Sequence, residues 1–159
     1  MEFEDARASL DALASAGIAI PKVQFTTVLE AEAEVDASRR RELARFADKV
    51  YLHQVVIERP GAELARYVDL PEALENGPDG LWRIHFHFHV PVFERELGSF
   101  RNTQPHLREV LAMPRERSVT RHLEIETYTW DVLPEAFRAG DPVTDIAREI
   151  TWTKQDLES

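Results

Sequence analysis

Apolar positions in this chain repeat with a helical period in some stretches and a strand period in others, and the changes of period mark its elements. Residues 4–16 read as a helix with Leu10, Leu13 and Ala14 on one stripe, and Gly17 stands at the left-handed cap. Residues 18–29 are β-rich, and Pro21 delays the regular strand to Lys22. A second helix is expected over 37–47, with Leu43, Phe46 and Ala47 as its apolar side. A strand over 50–57, a turn at Pro60-Gly61 and a return over 64–68 predict a hairpin. A short helical turn at 70–74 and a loop over 76–80 follow.

The strongest strand is 81–90, stopped by Pro91. Asn102-Thr103 can cap a helix running to about Met113, and a last strand covers 119–127. Asp141 caps a closing helix with Pro142 at its first position, its apolar side being Val143, Ile146, Ala147 and Ile150. Two strand–helix–strand units in this order predict parallel pairing with right-handed crossovers, hence an α/β fold in a single domain over residues 1–159.

Strand alternation separates two faces of the 81–90 segment. Ile84, Phe86, Phe88 and Val90 form the apolar face, and Arg83, His85, His87 and His89 the polar one. The last strand repeats the arrangement, with Leu123 and Ile125 opposed to His122, Glu124 and Glu126. In an α/β barrel the apolar face meets the helices and polar groups converge at the C-terminal ends of the strands. His87, His89 and Glu126 are then the candidate metal ligands, with Glu124 or Glu126 as the proton-moving carboxylate. Imidazole with carboxylate suits a divalent zinc, manganese or iron ion, and magnesium less well. The bland alternative is an antiparallel sheet whose polar row simply faces solvent. A cupin reading also matches His87, His89 and Glu94, but its second motif is missing.

Other polar residues are candidates for substrate contact. His53 can be a polar interior group or a surface one, and His106 near a helix start can approach an anionic ligand. Asp131 after Trp130 can orient a histidine or cap a turn. Trp82, Trp130 and Trp152 suit core or rim positions, and Arg39-Arg40-Arg41 suits one solvated helical turn.

Composition narrows the function classes. The net charge of −10 over 159 residues disfavours nucleic acid and anionic membrane surfaces. The absence of cysteine excludes disulfides and thiolate chemistry. No apolar run reaches membrane-spanning length and the first residues lack a leader pattern, so a cytoplasmic location is the expectation. Neither a phosphate-binding glycine loop nor a Gly-x-Ser-x-Gly elbow is present.

Four stretches together carry a family resemblance: residues 22–27 (KVQFTT), 51–56 (YLHQVV), 87–93 (HFHVPVF) and 122–134 (HLEIETYTWDVLP). With them the chain resembles the C-terminal part of the EboE metabolite traffic protein family, within the xylose isomerase-like TIM-barrel superfamily. The resemblance implies the C-terminal segment of a TIM (β/α)8 barrel, incomplete here and carrying a β-hairpin excursion. It implies a divalent metal held at strand ends, with His89 (alongside His87) and Glu126 in the ligand places and Gln24 where relatives carry a ligand histidine. Gln24, His53, His106, Trp130 and Asp131 are the expected substrate contacts. The family motif begins upstream of Met1, so a second chain or an upstream segment would complete the barrel. The implied function is handling of a small metabolite, with metal-dependent sugar isomerase or epimerase chemistry as the alternative, and this chain alone is not expected to be catalytically complete.

Overall fold

A computed structural model of the chain describes residues 2–32, 37–47, 49–86, 90–116, 119–126 and 141–158. Their elements, in order, are α1 (Ala6–Ser15), β1 (Val23–Phe25), β2 (Leu29–Ala31), α2 (Ala37–Ala44), β3 (Val55–Glu58), β4 (Ala65–Tyr67), α3 (Leu70–Asn76), β5 (Leu81–Ile84), β6 (Glu96–Leu97), β7 (Phe100–Asn102), α4 (Gln104–Glu116), β8 (Leu123–Ile125) and α5 (Pro142–Glu158). The fold is mixed α/β, with five described helices and two open sheets; among the described residues no closed barrel forms. No described helix is long and apolar enough to cross a membrane.

The larger sheet has six strands in the order β4-β3-β5-β2-β7-β6, antiparallel at every pairing. The sequence leads one to expect parallel neighbours instead. β2 and β3, joined through α2, do run in the same direction, but β5 lies between them and pairs antiparallel with both. The 58–81 connection makes this possible: β4 returns as the hairpin partner of β3, and α3 then delivers the chain to β5. The sheet is thus a split strand–helix–strand unit rather than a barrel wall of adjacent crossovers.

One face of this sheet carries Leu29, Ala31, Val55, Ile57, Trp82 and Ile84, all within 1% of full burial. Leu43 and Phe46 from the α2 region and Leu70 and Ala73 from α3 cover it. Trp82 satisfies its one polar atom by donating Nε1–H to the Pro78 carbonyl at 3.0 Å. Arg40 reaches into this layer, stacking 5.2 Å from the Trp82 ring and donating to the Leu74 and Gly77 carbonyls. One member of the arginine run therefore ties α2 to the end of α3 rather than standing in solvent.

The second sheet pairs β1 and β8 in parallel, with Val23, Gln24 and Phe25 opposite Leu123, Glu124 and Ile125. Its apolar side packs against Leu107 and Leu111 of α4 and Trp152 and Leu157 of α5. The long strand expected over 22–29 is cut at Thr26–Val28, because its two halves serve different sheets.

Other differences have local causes. The expected strand over 50–57 starts only at Val55, and Val50 (78% exposed) and Leu52 (54% exposed) stand out in solvent. His53 instead spends its backbone N–H on the Asp69 carboxylate at 2.9 Å, the same carboxylate that caps α3. The hairpin β6–β7 was not foreseen, although Gly98-Ser99 between Leu97 and Phe100 is its two-residue turn, with Gly98 at φ 62°.

In α5 the expected apolar side is the outer one: Val143 is 73% and Ile150 43% exposed. The inward stripe is Asp145, Glu149, Thr153 and Asp156. A buried polar group is tolerated where it has a fixed partner. Glu149 accepts the Val92 N–H at 2.9 Å, and Asp156 takes the Arg108 guanidinium at 2.8 Å. Trp152 and Leu157 supply the apolar contact between these anchors.

Candidate functional site

The second face of the six-stranded sheet is polar, and strand register makes it so. Residues directly opposite one another across an antiparallel ladder share a face. A row therefore runs across all six strands: Arg66, Val56, Arg83, Glu30, Arg101 and Glu96. Arg83 and Glu30 form a half-buried pair at 2.9 Å, and the Arg101 guanidinium pairs with Glu32.

One step further along the strands, on the same face, stand Gln54, His85, Val28 and Thr103. The His85 N–H donates to the Gln54 carbonyl at 2.9 Å, and Thr103 binds Val28 twice, through its own N–H to the Val28 carbonyl and through Oγ1 from the Val28 N–H, each at 3.0 Å. The expected alternation in the 81–90 segment holds over its described part. Ile84, Phe86 and Val90 enter the core, while Arg83 and His85 take the other side.

This second row forms one wall of a cavity of about 390 Å³ between the sheet, β1 and α4. Its polar lining is Gln24, Thr26, Gln54, His85, Thr103 and His106, over apolar ground from Val23, Phe25, Leu107 and Val110. Among the described residues the lining includes amides, hydroxyls and imidazoles. Such a wall offers both donors and acceptors to a small polar ligand.

His106 sits in the first turn of α4, placed there by the Asn102 side chain, whose Oδ1 accepts the Gln104 N–H at 3.0 Å. Burial lowers the pKa of its imidazole below the usual histidine value, and the nearby Arg83 guanidinium pushes the same way. Glu109, with Oε2 3.7 Å from Nδ1, and Glu30 oppose that shift. The ring is therefore neutral at pH 7, with one nitrogen donating and one accepting.

His106 also borders a second cavity, of about 240 Å³. Here Val23, Phe25 and Val110 face Glu2, Glu4 and Leu10 of the N-terminal segment. That segment lies over the polar face. The Glu2 carboxylate receives Nε and Nη2 of Arg66, each at 2.8 Å, and the Phe3 ring lies 4.0 Å from the Arg83 guanidinium.

The structure brings together only some of the residues expected to act. Gln24 and His106 share the larger cavity, with His85, which the sequence suggested was only a hydrogen-bonded interior residue. Glu124 is opposite Gln24 in the β1–β8 register, but its carboxylate is 2.6 Å from Lys22 Nζ, and it lines a different groove beside α5. Glu126 follows β8, its N–H bonded to the Phe25 carbonyl at 2.8 Å, and alternation sets it on the same side of that strand as Glu124. His53 takes the interior alternative of the two. It is 1% exposed on the core side, edge-on to Phe86 at 5.0 Å and 3.5 Å from Asp69, because Gln54 takes the cleft side of the chain. His87, His89, Trp130 and Asp131 lie outside the described residues.

Sequence reasoning missed Thr26, Gln54 and Thr103. The signal for Gln54 was its parity with Val56, two residues on; nothing local marked Thr26 or Thr103 as cavity residues. Among the described residues no group of three or more His, Asp and Glu side chains gathers for a metal ion. Glu124, one of the two carboxylates at β8, is paired with Lys22 at 2.6 Å. Compared with protein-family models, with curated proteins and with solved structures, the chain finds no match.

Proposed function

We propose that this chain binds a small polar metabolite in the cleft between the polar sheet face and α4. The observation that carries this reading is the convergence of Gln24, Gln54, His85, Thr103 and His106, from four separate parts of the chain, on one cavity with an apolar floor. A folding core has no use for five such groups around an empty space, whereas ligand sites combine an apolar body with a few convergent polar groups. The groups of the cleft suit holding and orienting a ligand, which agrees with a role in metabolite handling.

The test is ligand-observed and protein-observed NMR on the full chain with a panel of polyols and sugar acids. Binding ligands shift the His85 and His106 imidazole resonances together, and His106→Ala weakens them about tenfold or more, the loss expected of one or two hydrogen bonds in a partly buried site. A panel that moves neither imidazole defeats the proposal.

The barrel-segment reading draws its support from the parallel β1–β8 pair, which sets Gln24 beside Glu124 as neighbouring barrel strands would. On that reading the six-stranded sheet is the hairpin excursion enlarged, and another chain completes the barrel. A divalent ion on His87, His89 and Glu126, with sugar isomerase or epimerase chemistry, is the second reading. The shared side of Glu124 and Glu126 on β8 favours it. Metal content after purification, in the full chain and in Glu126→Ala, decides between them. Equal metal in both removes the metal reading and leaves the cleft untouched.

A further inference from the structure

Three arginines on one sheet face invite the question of what they are for in a chain whose net charge is −10. Arg101 has Glu32, and Arg83 has Glu30 from the neighbouring strand. Arg66 differs. Its carboxylate partner among the described residues is Glu2, which no neighbouring strand supplies. The pair is exposed, with side chains 58% and 41% accessible.

The N-terminal segment brings Glu2 there and sets Phe3 against Arg83. Phe3 adopts φ 56°, a left-handed conformation that costs a non-glycine residue energy and is kept only where surrounding contacts demand it. Its ring pays for that by lying over Arg83. The helix that follows, α1, buries none of its residues, and Leu13 is 37% exposed.

The segment also borders the cavity beside the cleft. Glu2 and Glu4 line the smaller cavity, whose far wall includes His106, the residue shared with the larger cavity.

We infer that Arg66 and Arg83 form an oxyanion-binding end of the cleft, and that Glu2 and Phe3 occupy it as an internal stand-in that an anionic metabolite displaces. The ligand class follows: a small polar molecule with a carboxylate or phosphate at one end. Its polar body meets His85, His106 and Gln24, and its oxyanion takes the guanidinium fork that Glu2 now fills. The inference rests on the cleft being a ligand site.

The test compares gluconate, sorbitol and inorganic phosphate on the wild-type chain, Glu2→Gln and Arg66→Ala. NMR is read at two places, the His85 and His106 imidazoles and the Arg66 Nε–H. Glu2→Gln removes the competing charge and is expected to bind gluconate about threefold to fivefold more tightly, the worth of an exposed ion pair. Sorbitol affinity stays unchanged in the same variant. Arg66→Ala loses the preference for gluconate over sorbitol, and phosphate moves the Arg66 signal but not the imidazoles. If gluconate shifts the imidazoles with equal affinity in wild type and Glu2→Gln, the oxyanion end is wrong and the cleft reading stands. If phosphate and gluconate move Arg66 while the imidazoles stay silent, the cleft reading falls and the arginine site stands alone. If no ligand moves either reporter, both fall.

Discussion

The two faces of the six-stranded sheet are built from the same strands, residue by residue in alternation, yet they answer to different demands. On one side Leu29, Val55, Ile57, Trp82 and Ile84 are excluded from water and covered by α2 and α3. On the other, one residue along each strand, Glu30, Val56 and Arg83 form a row covered by the N-terminal segment, and Gln54, His85 and Thr103 open on a cavity. The first face has no freedom, because apolar side chains at full packing tolerate neither gaps nor extra volume. The second face has room and polar groups around it, which is what recognition requires.

Substitutions on the two faces should separate stability from binding. The largest effect is expected from Trp82→Ala, which removes a wholly buried ring from the covered face; urea unfolding should show a loss of about 3–5 kcal/mol. A loss below 1 kcal/mol would mean that α2 and α3 do not enclose this face. On the polar face, Glu30→Ala leaves the half-buried Arg83 guanidinium without its strand partner and should cost about 1.5–3 kcal/mol in the same measurement. His85→Ala should cost only about 0.5 kcal/mol, as a half-exposed side chain outside the core, while abolishing ligand-induced shifts at His106. Equal losses for Trp82→Ala and His85→Ala would erase the distinction between the faces.

The smallest effect concerns pH. The His106 pKa lies below 6.5 in the folded chain, chiefly through burial. Between that lower value and the unfolded value near 6.5 the unfolded chain binds more protons, so stability falls as pH drops through this window and levels off below it. His106→Gln should flatten that part of the profile of unfolding free energy against pH. An NMR titration should place the His106 midpoint below 6.5. A midpoint at or above 6.5 would mean that the ring is not enclosed as described.

Much of the local structure was legible in the residues. Asp5, Asp69 and Asp141 cap helices as their side chains dictate, Gly17 takes the left-handed cap at φ 70°, and the hairpin after Pro60-Gly61 forms. The parity of Arg83 and His85 against Ile84 and Phe86 was likewise plain. The site was legible in part. Gln24 and His106 were marked, while His85 was set aside and His53 took the interior of its two alternatives.

The sequence by itself determined where helices begin, which strand residues share a side, and that no thiolate chemistry takes place. These depend on interactions between residues a few positions apart, or on composition alone. The tertiary structure decided which strands became neighbours, and with that the antiparallel insertion of β5 between β2 and β3. It also turned the α5 stripe of Asp145, Glu149, Thr153 and Asp156 inward, against its hydrophobic pattern, because Val92 and Arg108 offer those carboxylates partners that periodicity cannot reveal. The cleft belongs to the same category. Its walls come from residues about eighty positions apart, and only pairing of distant strands brings Gln24 and His106 around one space.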